Sequence, residues 1–298
     1  MDIAIIGPGA MGTFLAGLLA KENKVTLFGR REHQDINKVK IKGKTELEIG
    51  VDYATDSSKL ADVELVVICT KAFDTEEAIK SVVDHIPSKC DILSLQNGLK
   101  NEEIIEDNVG EDRTIGGITS HGVTYLGIGK VRHAGEGETV IGAYPHGDRA
   151  EIKKVASTLS EAGMRTKISD NILGHIWKKV IINAGINPIT ALLRIKNGFL
   201  LEDKDLLALL KEAVKEGTEV AERYTDLPLE DLFEKTKRVA ESTAENRSSM
   251  LQDILNNKRT EIDQINGAVV EKADECGISV PVNKSLYRLV RGMESTYL

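Results

Sequence analysis

A chain of 298 residues has room for two domains of ordinary size. Its net charge of −8, with 39 basic residues interleaved among 47 acidic ones, argues against a nucleic-acid groove, and no apolar run approaches the roughly 20 residues that cross a membrane. Cys69, Cys90 and Cys276 form no CxxC pair and the six histidines stand apart without HExxH spacing, so neither a disulfide framework nor a metal site is expected.

No charged and then apolar leader precedes the first apolar run, and the expectation is a cytoplasmic protein with reduced thiols. That run, residues 3–6, breaks into Gly7-Pro8-Gly9-Ala10-Met11-Gly12 and then into Phe14, Leu15, Leu18 and Leu19 at helical spacing. Strand, tight turn and helix in this order are what a dinucleotide site requires. Gly7 permits the turn, Gly9 lets backbone approach a pyrophosphate, and Gly12 lets helix and strand pack without a Cβ between them. The phosphates then sit over the helix N-terminus, where unpaired N–H groups and the macrodipole favour an anion.

Residues 24–28 read as a second strand, ending in Gly29-Arg30-Arg31. An NAD site places an acid here, about 20 residues after the glycines, to grip the ribose 2′-OH. Two arginines stand in its place, and a guanidinium suits a 2′-phosphate. NADP(H) is therefore favoured, with NADH the alternative; the bland reading of Arg30 and Arg31 is a pair of solvated loop charges. Residues 64–69 form a continuous apolar run, as in a parallel strand covered on both faces. Lys71 follows at its carboxyl edge, where it is either a phosphate or adenine contact or a surface lysine. Residues 76–83 have helical spacing, and residues 91–95 form another strand closed by Gln96-Asn97-Gly98. From 114 to 142 short glycine-rich runs suggest antiparallel strands added to the sheet. A helix over 149–162 and a strand over 165–168 complete this half.

Beyond Ser169 the strand-like runs stop. Residues 172–186, 203–224, 229–243 and 260–276 carry apolar residues at a period near 3.6. The expected architecture is α/β: a Rossmann-type parallel-sheet domain over 1–168, then an all-helical substrate domain over 169–298. Within the first helical segment Lys179, Asn183 and Asn187 recur every four residues. Each step is about 400° of rotation and about 6 Å of rise, so they form one narrow row. Ile176, Val180, Ile181, Ile182 and Ile186 surround it, and a helix apolar on most sides is buried. The bland reading is a row facing water. Pro188 is expected to end this helix at Asn187. Thr260 reads as an N-cap with Asp263 three residues on, which leaves Glu261 in a first helical turn, where a surface acid also complements the dipole.

Gly-Pro-Gly-Ala-Met-Gly12, Thr70-Lys71-Ala72, Gln96-Asn97-Gly98, Lys179 with Asn183 and Asn187-Pro188, Asn197-Gly198, Ser249-Met-Leu-Gln-Asp253, Thr260-Glu261-Ile-Asp263 and Ile265-Asn-Gly267 are more specific together than any one alone. With them the chain resembles, over essentially its whole length, the ketopantoate reductase (2-dehydropantoate 2-reductase) family. The resemblance implies NADPH-dependent reduction of 2-dehydropantoate to (R)-pantoate, in pantothenate and coenzyme A biosynthesis. It implies Lys179 as general acid and Glu261 as a residue that orients it or the substrate. Asn183 and Asn187 resemble the groups that hold the substrate hydroxyl, Ser249 and Asn97 those near its carboxylate, and Asn197 a further substrate-side group. Arg30 and Lys71 match the adenosine-phosphate contacts. Asn97 and Glu261 also fall beside the cofactor, with Gly7 through Gly12 beneath its phosphates.

Two other functions fit parts of the pattern: reduction of a related branched 2-keto acid, and a non-catalytic nucleotide-binding regulator. A regulator has no need of Lys179 and Glu261, which weighs against it. The partner expected is a small-molecule substrate, with no nucleic acid and no membrane; the sequence leaves a single chain and a homodimer both open.

Overall fold

The computed structural model describes residues 1–30, 37–226, 228 and 231–298. Strand β1 (Asp2–Ile6) leads into helix α1 (Ala10–Leu19), then β2 (Lys24–Phe28), β3 (Lys38–Gly43), β4 (Leu47–Gly50), β5 (Asp52–Ala54) and β6 (Leu65–Ile68). Next come α2 (Thr75–Lys80), β7 (Asp91–Ser94), α3 (Asn101–Val109), β8 (Thr114–Thr119), β9 (Gly122–Gly127), β10 (Lys130–Gly135), β11 (Thr139–Ala143), α4 (Ala150–Glu161) and β12 (Thr166–Ile168). Helices follow: α5 (Ile172–Leu193), α6 (Phe199–Glu202), α7 (Lys204–Ala221), α8 (Leu232–Ser242), α9 (Ser249–Leu255), α10 (Ala268–Cys276) and α11 (Pro281–Glu294). Among the described residues no strand comes after β12. The chain forms two compact units, Met1–Gln96 with Asn101–Leu173, and Asn97–Lys100 with Gly174–Leu298.

In the first unit eight strands lie in the order β12-β11-β8-β7-β6-β1-β2-β5. Adjacent strands from β5 to β8 are parallel. Taken in chain order these parallel strands read 3-2-1-4-5-6 across the sheet, the doubly wound dinucleotide-binding arrangement with its switch point between β1 and β6. Both faces are buried, which is why the strands are unbroken apolar runs. Ile3, Ile5, Leu65 and Val67 pack into a core with α1 and α4, while Ala4, Ile6, Val66 and Ile68 pack into another with α2 and Ile105 of α3.

The glycine-rich region divides between two sheets, which corrects the expectation that all of it joins the main one. β8 and β11 do so, as an antiparallel pair. β9 and β10 leave it and join β3 and β4 in a second sheet, ordered β4-β3-β10-β9. Its apolar side covers α1: a Cβ on Gly17 would lie 2.8 Å from the Ile41 side chain and 3.0 Å from that of Val39. In β3, Lys38, Lys40 and Lys42 alternate with those two residues, a one-faced pattern of period two.

The predicted end of a helix at Asn187 is also corrected. α5 runs on to Leu193 with Pro188 inside it. Pro188 has no N–H for the carbonyl of Ala184, a loss worth about 3 kcal/mol or more in an ordinary helix interior. Here the Asn266 Nδ2 donates to that carbonyl at 3.0 Å, so the orphaned acceptor is satisfied from outside the helix. α5 packs on α7 at Gly185, where a Cβ would meet Leu210 at 2.7 Å and Val214 at 3.0 Å.

Thr260 does not begin a regular α-helix. Its hydroxyl accepts the Ile262 N–H at 3.2 Å, and the chain turns through a π-helical segment, Asp263–Gly267, before α10 starts. The carboxylate expected back at the Thr260 N–H is supplied by Glu294, at 2.6 Å, while Asp263 is taken by Arg259 at 3.0 Å. The helix expected over 229–243 is α8; Leu229, where that expectation began, lies outside the described residues.

Candidate active site

The turn after β1 separates the roles of its glycines. Gly7 has φ +107°, which a side chain resists, and a Cβ there would lie 2.8 Å from the Thr70 nitrogen. A Cβ on Gly12 would stand 2.0 Å from the Gly7 oxygen. Gly9 differs, because a Cβ there would meet nothing within 4 Å. The fold thus demands Gly7 and Gly12 but not Gly9, which is the pattern a ligand resting on Gly9 would leave. Gly9 is the residue before α1, whose first-turn N–H groups have no partner within the helix. Pro8, Ala10 and Met11 complete the turn, Pro8 receiving the Thr13 hydroxyl on its carbonyl at 3.3 Å. Behind it, burial pushes the Cys69 thiol up to about 12, so this sulfur is neutral.

Lys71 follows β6 in extended conformation at the start of a short 3₁₀ turn. The buried Gln96 holds this edge: its amide donates to the Thr70 carbonyl at 3.1 Å and to the Thr75 hydroxyl at 2.9 Å. Arg30, 65% exposed, pairs with Glu77 at 2.9 Å and Asp74 at 3.2 Å. The sequence did not signal these two acids. Arg31 lies outside the described residues.

In the second unit α5 carries the row. Lys179 and Asn183 are half-buried and Asn187 is 5% exposed. Ile181, against Gly217 of α7, and Gly185 sit two positions on from Lys179 and Asn183, about 200° around the helix. The row therefore faces away from α7. Trp177 is buried and stacks on Tyr224, with ring centroids 5.5 Å apart, which fixes the helix one turn ahead of Ile181. Burial, and then the like charge of Lys235, lowers the pKa of the adjacent Lys178.

Glu261 is 5% exposed, not the surface acid that a dipole role would leave. The Asn97 Nδ2 donates to its carboxylate at 3.1 Å. Residues 97–100 belong to the helical unit although β7 delivers them. The Leu99 N–H donates to the Gln264 carbonyl at 2.9 Å, and Gly98, at φ +92°, lies so close that a Cβ would be 2.6 Å from that of Gln264. The structure thus brings Asn97 and Glu261 together.

Asn197 and Ser249 are held by separate contacts. Asn197 is buried, donating from Nδ2 to the Thr243 hydroxyl at 2.9 Å, while its Oδ1 has no partner among the described residues. Ser249 is exposed at the start of α9, which Ser248 caps by accepting the Leu251 N–H at 3.2 Å. Thr190 of α5 bonds that same Ser248 hydroxyl at 2.8 Å, so the start of α9 is tied to the helix that carries the row. Among the described residues no group of three or more His, Cys, Asp or Glu is placed to hold a metal ion.

Two family models match the chain. One described as Ketopantoate reductase PanE/ApbA covers residues 3–146, and one described as Ketopantoate reductase PanE/ApbA C terminal covers residues 171–294. The chain is 41% identical to the 2-dehydropantoate 2-reductase of Pyrococcus horikoshii, over 99% of this chain and 98% of that one. It is 39% identical to that of Halobacterium salinarum, over 98% of both. Among solved structures, a PanE/ApbA family ketopantoate reductase from Ralstonia eutropha superposes with a TM-score of 0.92 at 30% identity, covering 100% and 99% of the two chains. A ternary complex of D-mandelate dehydrogenase with NADH and anilino(oxo)acetate gives 0.92 at 29% identity, again covering 100% and 99%.

Proposed function

The chain belongs to the ketopantoate reductase family, and from that premise we propose that it reduces 2-dehydropantoate to (R)-pantoate, with NADPH preferred to NADH. The observation that carries this reading is whole-length similarity, at 39–41% identity, to 2-dehydropantoate 2-reductases. The residues suit it. The Gly7–Gly12 turn would hold the pyrophosphate of NADPH, which when bound would supply a hydride to the ketone carbon. The ketone oxygen then gains negative charge, and a cationic proton donor lowers the barrier to that change. Lys179 is the group assigned to meet this oxygen and give up the proton. Asn183 and Asn187, on the same face, hold the substrate hydroxyl, and Ser249 and Asn197 complete the substrate contacts. Glu261, fixed by Asn97, orients the lysine or the substrate.

The cofactor preference rests on Arg30. Its two ion pairs are exposed, and such pairs contribute about 0–1 kcal/mol, so a 2′-phosphate can displace them. A hydrogen bond to a charged group is worth about 1.5–3 kcal/mol, or roughly 10- to 100-fold. Arg30→Ala should therefore raise KM for NADPH by that factor and leave KM for NADH nearly unchanged. Equal losses with both cofactors would return Arg30 to the role of a loop charge. The likeness to D-mandelate dehydrogenase bound to NADH supports a second reading, reduction of another branched 2-keto acid. A panel of 2-keto acids assayed with each cofactor by absorbance loss decides between them; ketopantoate should give the highest kcat/KM.

A further inference from the structure

Pro188 leaves one carbonyl of α5 without its helical partner, and the group that bonds it comes from the turn following Glu261. The Asn266 side chain is fully buried, and its Nδ2 donates both to the Ala184 carbonyl and to the Asn283 Oδ1, each at 3.0 Å. Only the amide nitrogen can serve a carbonyl, so the carbonyl itself settles which way the amide points. Asn283 donates onward to the Ala213 carbonyl at 3.0 Å and to Glu216 at 2.9 Å. Glu216 in turn accepts the backbone N–H groups of Val282 and Asn283, both at 2.9 Å. A line of buried polar groups thus joins α5, the π segment, α11 and α7.

Asn266 stands five residues after Glu261, inside the π segment. The Glu261 carbonyl accepts the Ile265 N–H at 3.1 Å, and the Ile262 carbonyl accepts the Gly267 N–H at 2.9 Å. One side chain therefore ties the turn that bears Glu261 to the helix that bears Lys179, Asn183 and Asn187. Its grip on α5 falls one residue after Asn183 and three before Asn187. The Asn266 Oδ1, by contrast, is buried with no partner among the described residues. An unpartnered buried amide oxygen calls for an explanation, and π segments recur where a functional geometry holds a helix off its regular path.

We propose that Asn266 is a positioning residue for the reduction, setting the register of the α5 row against Glu261. The inference rests on the assignment of Lys179 and Glu261 to the chemistry. Displacement of a reacting group by an ångström costs up to about 100-fold. Asn266→Ala should accordingly lower kcat/KM for ketopantoate by roughly 10- to 100-fold, while NADPH affinity, titrated directly, stays at the parent value. Asn283→Ala, which removes a buried amide from the same line but leaves Asn266 on Ala184, should lower Tm and keep kcat/KM. Parent kinetics in Asn266→Ala, or equal losses in both variants, would overturn the proposal. Should Asn266→Ala not fold, it is combined with Pro188→Ala, whose restored N–H satisfies Ala184 from within α5. Lower kcat/KM in that double variant than in Pro188→Ala supports the positioning role, and equal values overturn it. Failure of the underlying assignment shows separately, as full kcat in Lys179→Ala.

Discussion

Lys179 is the side chain on which the proposed chemistry turns, and its setting explains how one residue can be both cation and acid. It projects from a helix whose other faces are apolar and fixed by Trp177, Ile181 and Gly185. It is half-buried, so its charge is less screened than one in open water. Lys179→Ala removes the proposed acid, and general-acid catalysis contributes roughly 10²–10⁴-fold, so kcat should fall by about that factor. NADPH affinity should hold, since the phosphates are assigned to the Gly7–Gly12 turn. Asn183→Ala removes the bond proposed to hold the substrate before as well as during reaction, and should raise KM for ketopantoate more than it lowers kcat. Steady-state kinetics paired with cofactor titration separates the two. Near-normal kcat in Lys179→Ala would place the acid elsewhere.

At the scale of elements, the β1–turn–α1 unit offers a test that distinguishes fold from ligand. Gly12→Ala puts a Cβ 2.0 Å from the Gly7 oxygen and should depress Tm strongly or prevent folding. Gly9→Ala meets only open space and should leave Tm unchanged, yet weaken NADPH binding by crowding the pyrophosphate. Calorimetry with a cofactor titration reads both, and unchanged NADPH affinity in Gly9→Ala would remove the phosphates from this turn. This unit was legible because every signal in it is local: an apolar run, three glycines, then helical spacing. β6 and the Lys179 row were legible for the same reason. β3 and β5 were not, since their pairing with β10 and β2 depends on residues distant in the chain, and β4 is held as the hairpin partner of β3. Pro188 was misread because the group that rescues its helix, Asn266, lies 78 positions away in sequence. The burial of Glu261 and its bond to Asn97 depend on residues 97–100 joining the helical unit, which no local pattern announces.

At the scale of the whole molecule, stability should respond to acid through one histidine of the first unit. His121, between β8 and β9, lies 3.1 Å from the His133 ring of β10, and His133 bonds Thr45 at 2.9 Å. Both rings pack on Phe14 of α1, so the main sheet's first helix and the second sheet meet at this pair. Burial, and then the neighbouring His133, lowers the pKa of His121, while Glu136 acts weakly the other way. The folded state therefore favours neutral His121. As pH falls below the unfolded value, about 6.5, the unfolded chain takes up a proton that the folded one resists. Stability is full above that pH, declines as pH drops towards the lowered folded value, and gains no further loss from this group below it. Tm measured between about pH 7.5 and 5.5 should therefore fall more steeply for the parent than for His121→Gln, which keeps polar atoms there but cannot titrate in that range. Parallel curves for the two proteins would assign the acid response to other groups, and a parent Tm that rises on acidification would reverse the sign of the argument.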